Sequence, residues 1–312
     1  MPSNQTTDTK FILLPFPSSL HIHYVLVFIF LLMYLLTLTG NLLIMAVIKM
    51  DSHLHTPMYF FLVNLSIFDI FYSSVMAPKL IQILLAKDNT ISFSGCLIQI
   101  GLIYFIGSSE AFILSAMAYD RYSAICNPLG YLMVMSKRFC VFLACGSYIL
   151  GVINSLLNTL PLLRLHFCGS HLIHHYSCEL PVLLPLSCTD LFLNKMILFM
   201  TMFLIGFGCF LPILFSYARI ISAILKINSA SGRSKAFSTC SSHVMVVILF
   251  FVTGVGLYIS PATGSILEQV ISLQYSMVTP LLNPIIYSLK NVEVKIAIRK
   301  MWEKRIILSS TY

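Results

Sequence analysis

Seven long apolar stretches separated by short polar joints set the pattern of this chain, at roughly residues 24–48, 58–80, 97–119, 139–162, 196–225, 237–260 and 270–289. Each is long enough to cross a hydrocarbon core of about 30 Å, which takes about 20 residues of helix. Lipid offers backbone N–H and C=O groups no partner, so each crossing must satisfy its own hydrogen bonds, and a helix does that. The alternating ten-residue strands of a membrane barrel are absent. The pattern predicts an all-α membrane protein: an N-terminal segment 1–23, a seven-transmembrane helix bundle over 24–289, and a tail over 290–312. In the tail Val294, Ile298, Met301 and Trp302 share one helical face, while Lys295, Arg299, Lys300 and Lys304 supply charge. That suits a short amphipathic helix lying on an anionic leaflet.

Composition agrees. Apolar residues make up 58% of the chain and charged ones 10%, with a mean hydropathy of +0.90, where a soluble domain carries about 25% charged residues. The basic residues then orient the bundle. Lys49, Arg121, Lys137, Arg138, Arg219, Lys226, Arg233, Lys235, Lys290, Lys295, Arg299, Lys300, Lys304 and Arg305, 14 of the 19 Lys and Arg, fall on one side of the seven crossings. The positive-inside rule makes that side cytoplasmic and the N terminus extracellular. A net charge of +8 therefore needs no nucleic-acid partner. Residues 1–23 lack the basic start and apolar run of a cleavable signal, so the first crossing is expected to serve as the insertion signal.

Of nine cysteines, Cys96, Cys168, Cys178 and Cys188 fall on the predicted outer side, where disulfides persist. Four cysteines allow three pairings, and spacing does not choose among them. Cys126, Cys140, Cys145, Cys209 and Cys240 are expected to be free thiols. Asn4 heads an Asn-Gln-Thr glycosylation triplet on the same outer side. The long outer loop, about 163–195, holds three of the four outer cysteines and has the length of a loop that lids a cavity. His171, His174 and His175 lie beside Cys168 and Cys178 and could hold copper or zinc; a solvent-facing histidine cluster is the simpler expectation, and no metal site is predicted.

Six strings, in order, resemble those of vertebrate olfactory receptors, a branch of the rhodopsin-like G-protein-coupled receptors. They are Gly40-Asn41, LHTPMYFFLVNLS (54–66), MAYDRYSAICNPL (117–129), Ser216-Tyr217, KAFSTCSSH (235–243) and PLLNPIIYSLKN (280–291). The chain departs from the family pattern at Ser123, Asn127 and Gly130 on the G-protein-facing loop, and at Tyr148, where Trp is usual. The resemblance implies Cys96–Cys178 and Cys168–Cys188 disulfides, a plasma-membrane location in olfactory cilia, a small volatile ligand, and coupling to a stimulatory, olfactory-type G protein that raises cAMP. A receptor of the same family acting outside the olfactory epithelium is the alternative.

Asp69 and Glu110 are the two acids deep in the predicted crossings, and buried charge in a membrane is expensive unless it has a function. With Asn41 and Asn283 they resemble the family's polar core, where a sodium ion or a proton could favour the resting state; no other cofactor is expected. The family's switch residues map to Asp120, Arg121, Tyr122, Tyr217, Lys235, His243, Asn283, Pro284 and Tyr287. Pro284 removes a backbone donor inside the last crossing and marks a hinge. Helical spacing inward from Cys96 predicts a ligand-facing stripe at Ile103, Tyr104, Gly107, Ser108 and Ala111. The resemblance adds Met202, Ile205 and Gly206; Phe251, Gly254, Val255 and Tyr258; and Leu273, Ser276 and Met277. None of these is Lys or Arg, and Ile103 stands where amine-binding relatives carry an acid, so a neutral ligand is expected. A transporter would show a paired counterpart to the Pro-containing last crossing, and none is visible. HExxH and GxSxG strings are absent as well, and no enzyme activity is expected.

Overall fold

The structure, a computed structural model, describes residues 10–14, 20–85, 89–168, 170–259 and 265–309. Long helices run as α1 (Leu20–Met50), α2 (Pro57–Leu85), α3 (Phe93–Cys126), α4 (Lys137–Thr159), α5 (Phe192–Leu225) and α6 (Ala230–Ile259). The seventh, α7, is interrupted: Ile266–Leu273, a π turn over Gln274–Val278, then Thr279–Lys290. An eighth, α8 (Val292–Ser309), follows after one residue. Six helices among the described residues are long and apolar enough to cross a membrane.

Local chemistry explains several boundaries. Ser92 begins α3 by accepting from Gly95 N at 3.1 Å, and Ser136 begins α4 by accepting from Phe139 N at 3.4 Å. α6 starts about two turns before its apolar run because Ser229 captures Gly232 N at 3.1 Å. At the start of α7, Ser265 accepts from Glu268 N at 3.3 Å, an N-cap in a Ser-x-x-Glu setting.

α3 is the central helix, packed against α2, α4, α5 and α6. Its crossing with α4 is close because Gly151 lacks a side chain: a Cβ there would meet Ser109 Oγ and, at 2.8 Å, the Phe105 carbonyl. Polar side chains join the crossing. Asn154 donates to Ser108 Oγ at 2.6 Å, Ser155 donates to the Gly101 carbonyl at 2.7 Å, and Asn158 reaches Thr201 on α5 at 3.3 Å. Tyr148 donates to Asn64 on α2 at 3.0 Å and packs on Phe68, so the phenol serves both as a packing body and as a polar tip.

Residues ahead of the bundle contain an element that the apolar pattern did not predict. Lys10–Leu13 is a strand, β1, at the centre of a three-stranded sheet. It pairs antiparallel with β2 (Thr90–Ser92), Phe11 opposite Ile91, and parallel with β3 (Leu172–Ile173), Leu13 opposite Ile173. Alternation buries Phe11 and Leu13 completely, in an apolar cluster with Phe93, Ile100, Leu162 and Leu183. This cluster also contains Cys96 and Cys178, joined in a disulfide, and a second disulfide joins Cys168 to Cys188. The sheet and disulfides mark one end of the bundle; Lys49, Arg121 and Lys137 mark the other, basic end.

Candidate functional site

Near the centre, α7 is broken chemically by Pro284, whose missing N–H leaves the Pro280 carbonyl without its helical donor. Asn41 of α1 supplies the replacement, donating from Nδ2 to Pro280 O at 3.2 Å while also reaching Thr37 O at 3.0 Å. Gly40 makes this possible: a Cβ there would sit 3.1 Å from Pro284 Cγ. The Gly40-Asn41 and Asn283-Pro284 pairs are therefore two halves of one joint. Beside it, Asn283 Nδ2 donates to both Asp69 oxygens, at 2.9 and 3.1 Å. Glu110 and Tyr287 lie within electrostatic reach of that carboxyl. Glu110 Oε1, Asn41 Oδ1, Asn283 Oδ1 and Tyr287 OH are buried with no hydrogen-bond partner. Three of those four atoms are acceptors, so the core is short of donors.

At the basic end Arg121 folds back on its neighbour Asp120, through Nε at 2.9 Å and also through Nη2. Tyr131, on the single turn Tyr131–Val134, donates to the other Asp120 oxygen at 2.8 Å. Burial and the Asp120 carboxylate push the Tyr131 phenol up from its ordinary pKa, so it stays a donor. Asp120 thus holds Arg121 with a partner that sequence reasoning did not single out. α6 is tied to α3 by His243, whose Nε2 lies 3.1 Å from the Leu114 carbonyl and whose Nδ1 lies 2.7 Å from Tyr217 OH on α5. A carbonyl only accepts, so Nε2 carries the proton and Tyr217 donates to Nδ1. Tyr122 is half-buried beside Ile220 and Ile224 of α5. Tyr59 links α2 to the start of α8, donating to Glu293 at 2.7 Å. On α8, Val294 and Ala297 are buried while Lys295, Arg299 and Lys300 are exposed.

The expected ligand stripe divides. Ile103, Ile205, Phe251 and Leu273 are half-buried against the main core, Ala111 and Met277 are packed within it, and Met202 is half-buried on α5. Gly206 and Gly254 face open space, with nothing within 4 Å of where a Cβ would stand, whereas at Gly107 a Cβ would meet Tyr275 Oη at 2.9 Å. Tyr104 is buried in the cluster at the disulfide end. Two positions turn elsewhere. Ser108 donates to the Tyr104 carbonyl and accepts from Asn154, both at 2.6 Å, because the close α3–α4 crossing carries it toward α4. Val255 is 54% exposed and continues the outward row of Met245, Ile248 and Val252, the i, i+3, i+4 repeat of a lipid face. The side chains of Lys235 and Tyr258 lie outside the described residues, as does Asn4.

Ser276 is fully buried, its hydroxyl 3.1 Å from Tyr176 OH. Tyr176 descends from the long loop and also meets Ser272 Oγ at 2.6 Å. Burial pushes its phenol pKa up, so it stays protonated. Ser272 donates to Glu179, and Gln269 donates to the His174 carbonyl at 3.2 Å. Gln99 of α3 accepts from Cys178 N at 2.9 Å. The loop is therefore bonded to α3 and to the part of α7 next to its π turn. Tyr176 stands two residues from a disulfide-bonded cysteine, which was its only signal in the sequence. The same loop corrects the expectation of a solvent-facing histidine cluster, which His174 alone, being exposed, meets. His175 is fully buried, stacked on Tyr176 with ring centroids 4.5 Å apart and Nδ1 3.0 Å from Ser177 Oγ, while His171 packs edge-on against Phe11. Among the described residues no group of three or more His, Cys, Asp and Glu could hold a metal.

Seven interrupted or continuous helices, a central α3 disulfide-bonded to the long loop and an eighth helix after the last crossing make up the rhodopsin-like receptor fold. The crystal structure of squid rhodopsin matches 91% of this chain and 82% of its own with a TM-score of 0.70, at 16% identity, a likeness of fold alone. The family model described as olfactory receptor matches residues 30–305. Gorilla gorilla gorilla olfactory receptor 1G1 is 47% identical over 97% of this chain and 98% of its own, and Homo sapiens olfactory receptor 5AN1 gives the same three figures. Mus musculus olfactory receptor 8B8 is 45% identical over 96% of this chain and 97% of its own. The chain belongs to the olfactory receptor family. It is a multi-pass membrane receptor for odorants, working with a small ligand and a G protein, and not an enzyme.

Proposed function

We propose that this receptor binds a small, neutral, largely apolar odorant between α3, α5, α6 and α7, and activates a stimulatory, olfactory-type G protein to raise cAMP. The N terminus and the disulfide end face outward, and the basic end meets the cytoplasm at the plasma membrane of olfactory cilia; the positive-inside asymmetry supports this. The observation that carries the reading is the double restraint at the basic end. Arg121 is held by Asp120, whose other oxygen is held by Tyr131, and α6 is held to α3 through His243 and Leu114. Activation then consists of releasing α6 and freeing Arg121 for the G protein. A ligand achieves that only by binding the released state better than the held one.

The polar core biases the same equilibrium. Its donor-poor, acceptor-rich set of Asn41, Asp69, Glu110 and Asn283 fits a sodium ion or a proton, either of which would supply the missing positive charge and favour the resting packing. On the ligand side, a neutral molecule suits half-buried apolar walls and the space beside Gly206 and Gly254. A small ligand buries little area at about 25 cal/mol per Å², so affinity is expected at about micromolar or weaker.

The test is a cAMP response in transfected cells to a panel of neutral odorants, amines and carboxylates. Neutral aliphatic or aromatic agonists support the reading. Activation by amines or carboxylates alone overturns the neutral ligand, and agonist-driven signalling without cAMP overturns the coupling.

A further inference from the structure

At the basic end, where α1 hands over to α2, the outward surface holds a cavity of about 380 Å³ lined by Met45, Ala46, Ile48, Lys49, His55 and Val63. It is not part of the ligand space between α3, α5, α6 and α7. Its composition is divided. Met45, Ala46, Ile48 and Val63 form an apolar cleft between the two helices, and Lys49 on the last turn of α1 and His55 in the connecting turn supply nitrogen at one end of it. Exposed Leu42 and Met50 flank it on α1, so it opens toward lipid rather than toward the bundle.

The charge on Lys49 is uncommitted. It joins no ion pair among the described residues. Asp51, the acid nearest it in the chain, is engaged as the cap of the connecting turn and accepts from His53 N at 3.0 Å. No acid lines the cavity. A basic head over an apolar slot at the end of a transmembrane helix complements an anionic amphiphile.

We infer that this groove holds one anionic phospholipid, with the phosphate between Lys49 and His55 and the first part of an acyl chain between Met45, Ala46, Ile48 and Val63. The orientation proposed above supplies the lipid from the cytoplasmic leaflet, and the inference rests on that reading for the choice of leaflet alone. A bound lipid there bridges the ends of α1 and α2 beside the start of α8, whose Tyr59–Glu293 tie is made from α2.

The experiment uses the full-length receptor in nanodiscs of phosphatidylcholine with and without phosphatidylserine, and reads tightly held lipid by native mass spectrometry with no agonist or G protein present. Phosphatidylserine should be retained in preference to phosphatidylcholine. Lys49→Gln should weaken that retention about fivefold, the scale of one basic residue near an anionic surface. Ala46→Trp, which fills the cleft from an exposed position, should expel the lipid, and Lys295→Gln should leave it in place. Thermal unfolding of each variant checks that the bundle is intact; should Ala46→Trp fail to fold, Ala46→Leu with the same readout replaces it. Equal retention of the two lipids, retention in the filled groove of a folded variant, or displacement by inorganic phosphate regardless of acyl chain would each overturn the inference. Because no signalling is measured, a failure here is separate from a failure of the cAMP reading.

Discussion

Gly107 and Gly254 both belong to the ligand stripe expected from the sequence, yet the structure predicts opposite responses to a single added methyl. At Gly254 a Cβ enters open space. Gly254→Ala should therefore gain the usual helix preference of about 0.5–1 kcal/mol and raise surface expression. At Gly107 a Cβ stands 2.9 Å from Tyr275 Oη, and ordinary contact begins at 3.4 Å, so the phenol must recede by about 0.5 Å. It has little freedom to do so, being held edge-on against Tyr72 at 5.3 Å and tilted on Phe250 at 5.4 Å. Overpacking of this kind costs about 1–3 kcal/mol, which exceeds the helix gain. Tyr275 lies in the π turn of α7, so the strain is expected to fall unequally on the resting and released states. A net imbalance of about 0.5–2 kcal/mol shifts agonist potency by roughly 2- to 30-fold. The assay is an agonist dose response in cAMP at matched surface levels, run as a double-mutant cycle with Tyr275→Phe, which removes the clashing oxygen. Gly107→Ala should shift potency in the native background and much less in the Tyr275→Phe background. Equal shifts in both backgrounds, or no shift in either, would refute the argument.

Arg121→Ala should abolish agonist-driven cAMP with surface expression retained, and Tyr131→Phe, which strips a hydrogen bond from the Asp120 carboxylate worth about 1.5–3 kcal/mol, should raise basal cAMP; a normal response from the first or an unchanged baseline from the second would contradict the double restraint. Asn41→Ala leaves the Pro280 carbonyl without a donor and should lower thermal stability in detergent by about 1–3 kcal/mol, as should Asn41→Asp if the amide N–H is what matters, so that unchanged melting of both variants would reject the joint. Glu110→Gln should alter basal activity or agonist potency at matched surface levels, because it changes the donor-poor core where positive charge is expected to bind; identical curves would reduce Glu110 to a passive buried group.

The long elements were legible because lipid imposes one rule over some 20 residues at a time. The interruption of α7 was legible only in part: Pro284 marked a weak point, but the π turn over Gln274–Val278 has no breaker of its own. Asn41 was readable as a polar residue in a costly place, whereas its role as donor to Pro280 needed a contact spanning 239 positions. Short elements fared worst. β1 is four residues long, and its alternation of Lys10, Phe11, Ile12 and Leu13 is too brief to stand out. Ser108 shows the other limit. Spacing placed it on the right turn of α3, but the close approach at Gly151 decided which neighbour that face would meet.

The central strand of the small sheet also sets an order of assembly. β1 is made first, yet its parallel partner β3 is separated from it by 160 positions, Leu13 to Ile173, with four crossings between them. At about 5–20 residues per second of synthesis, the first strand waits about 8–32 s for its second edge. During that time Phe11 and Leu13, buried in the finished receptor, have no complete place to go. Four crossings must have been laid down with the right polarity for β1 and β3 to meet on the same face of the membrane. Closure of the sheet is thus conditional on all four crossings being in place: a chain that lacks one leaves Phe11 and Leu13 on a strand without its parallel edge.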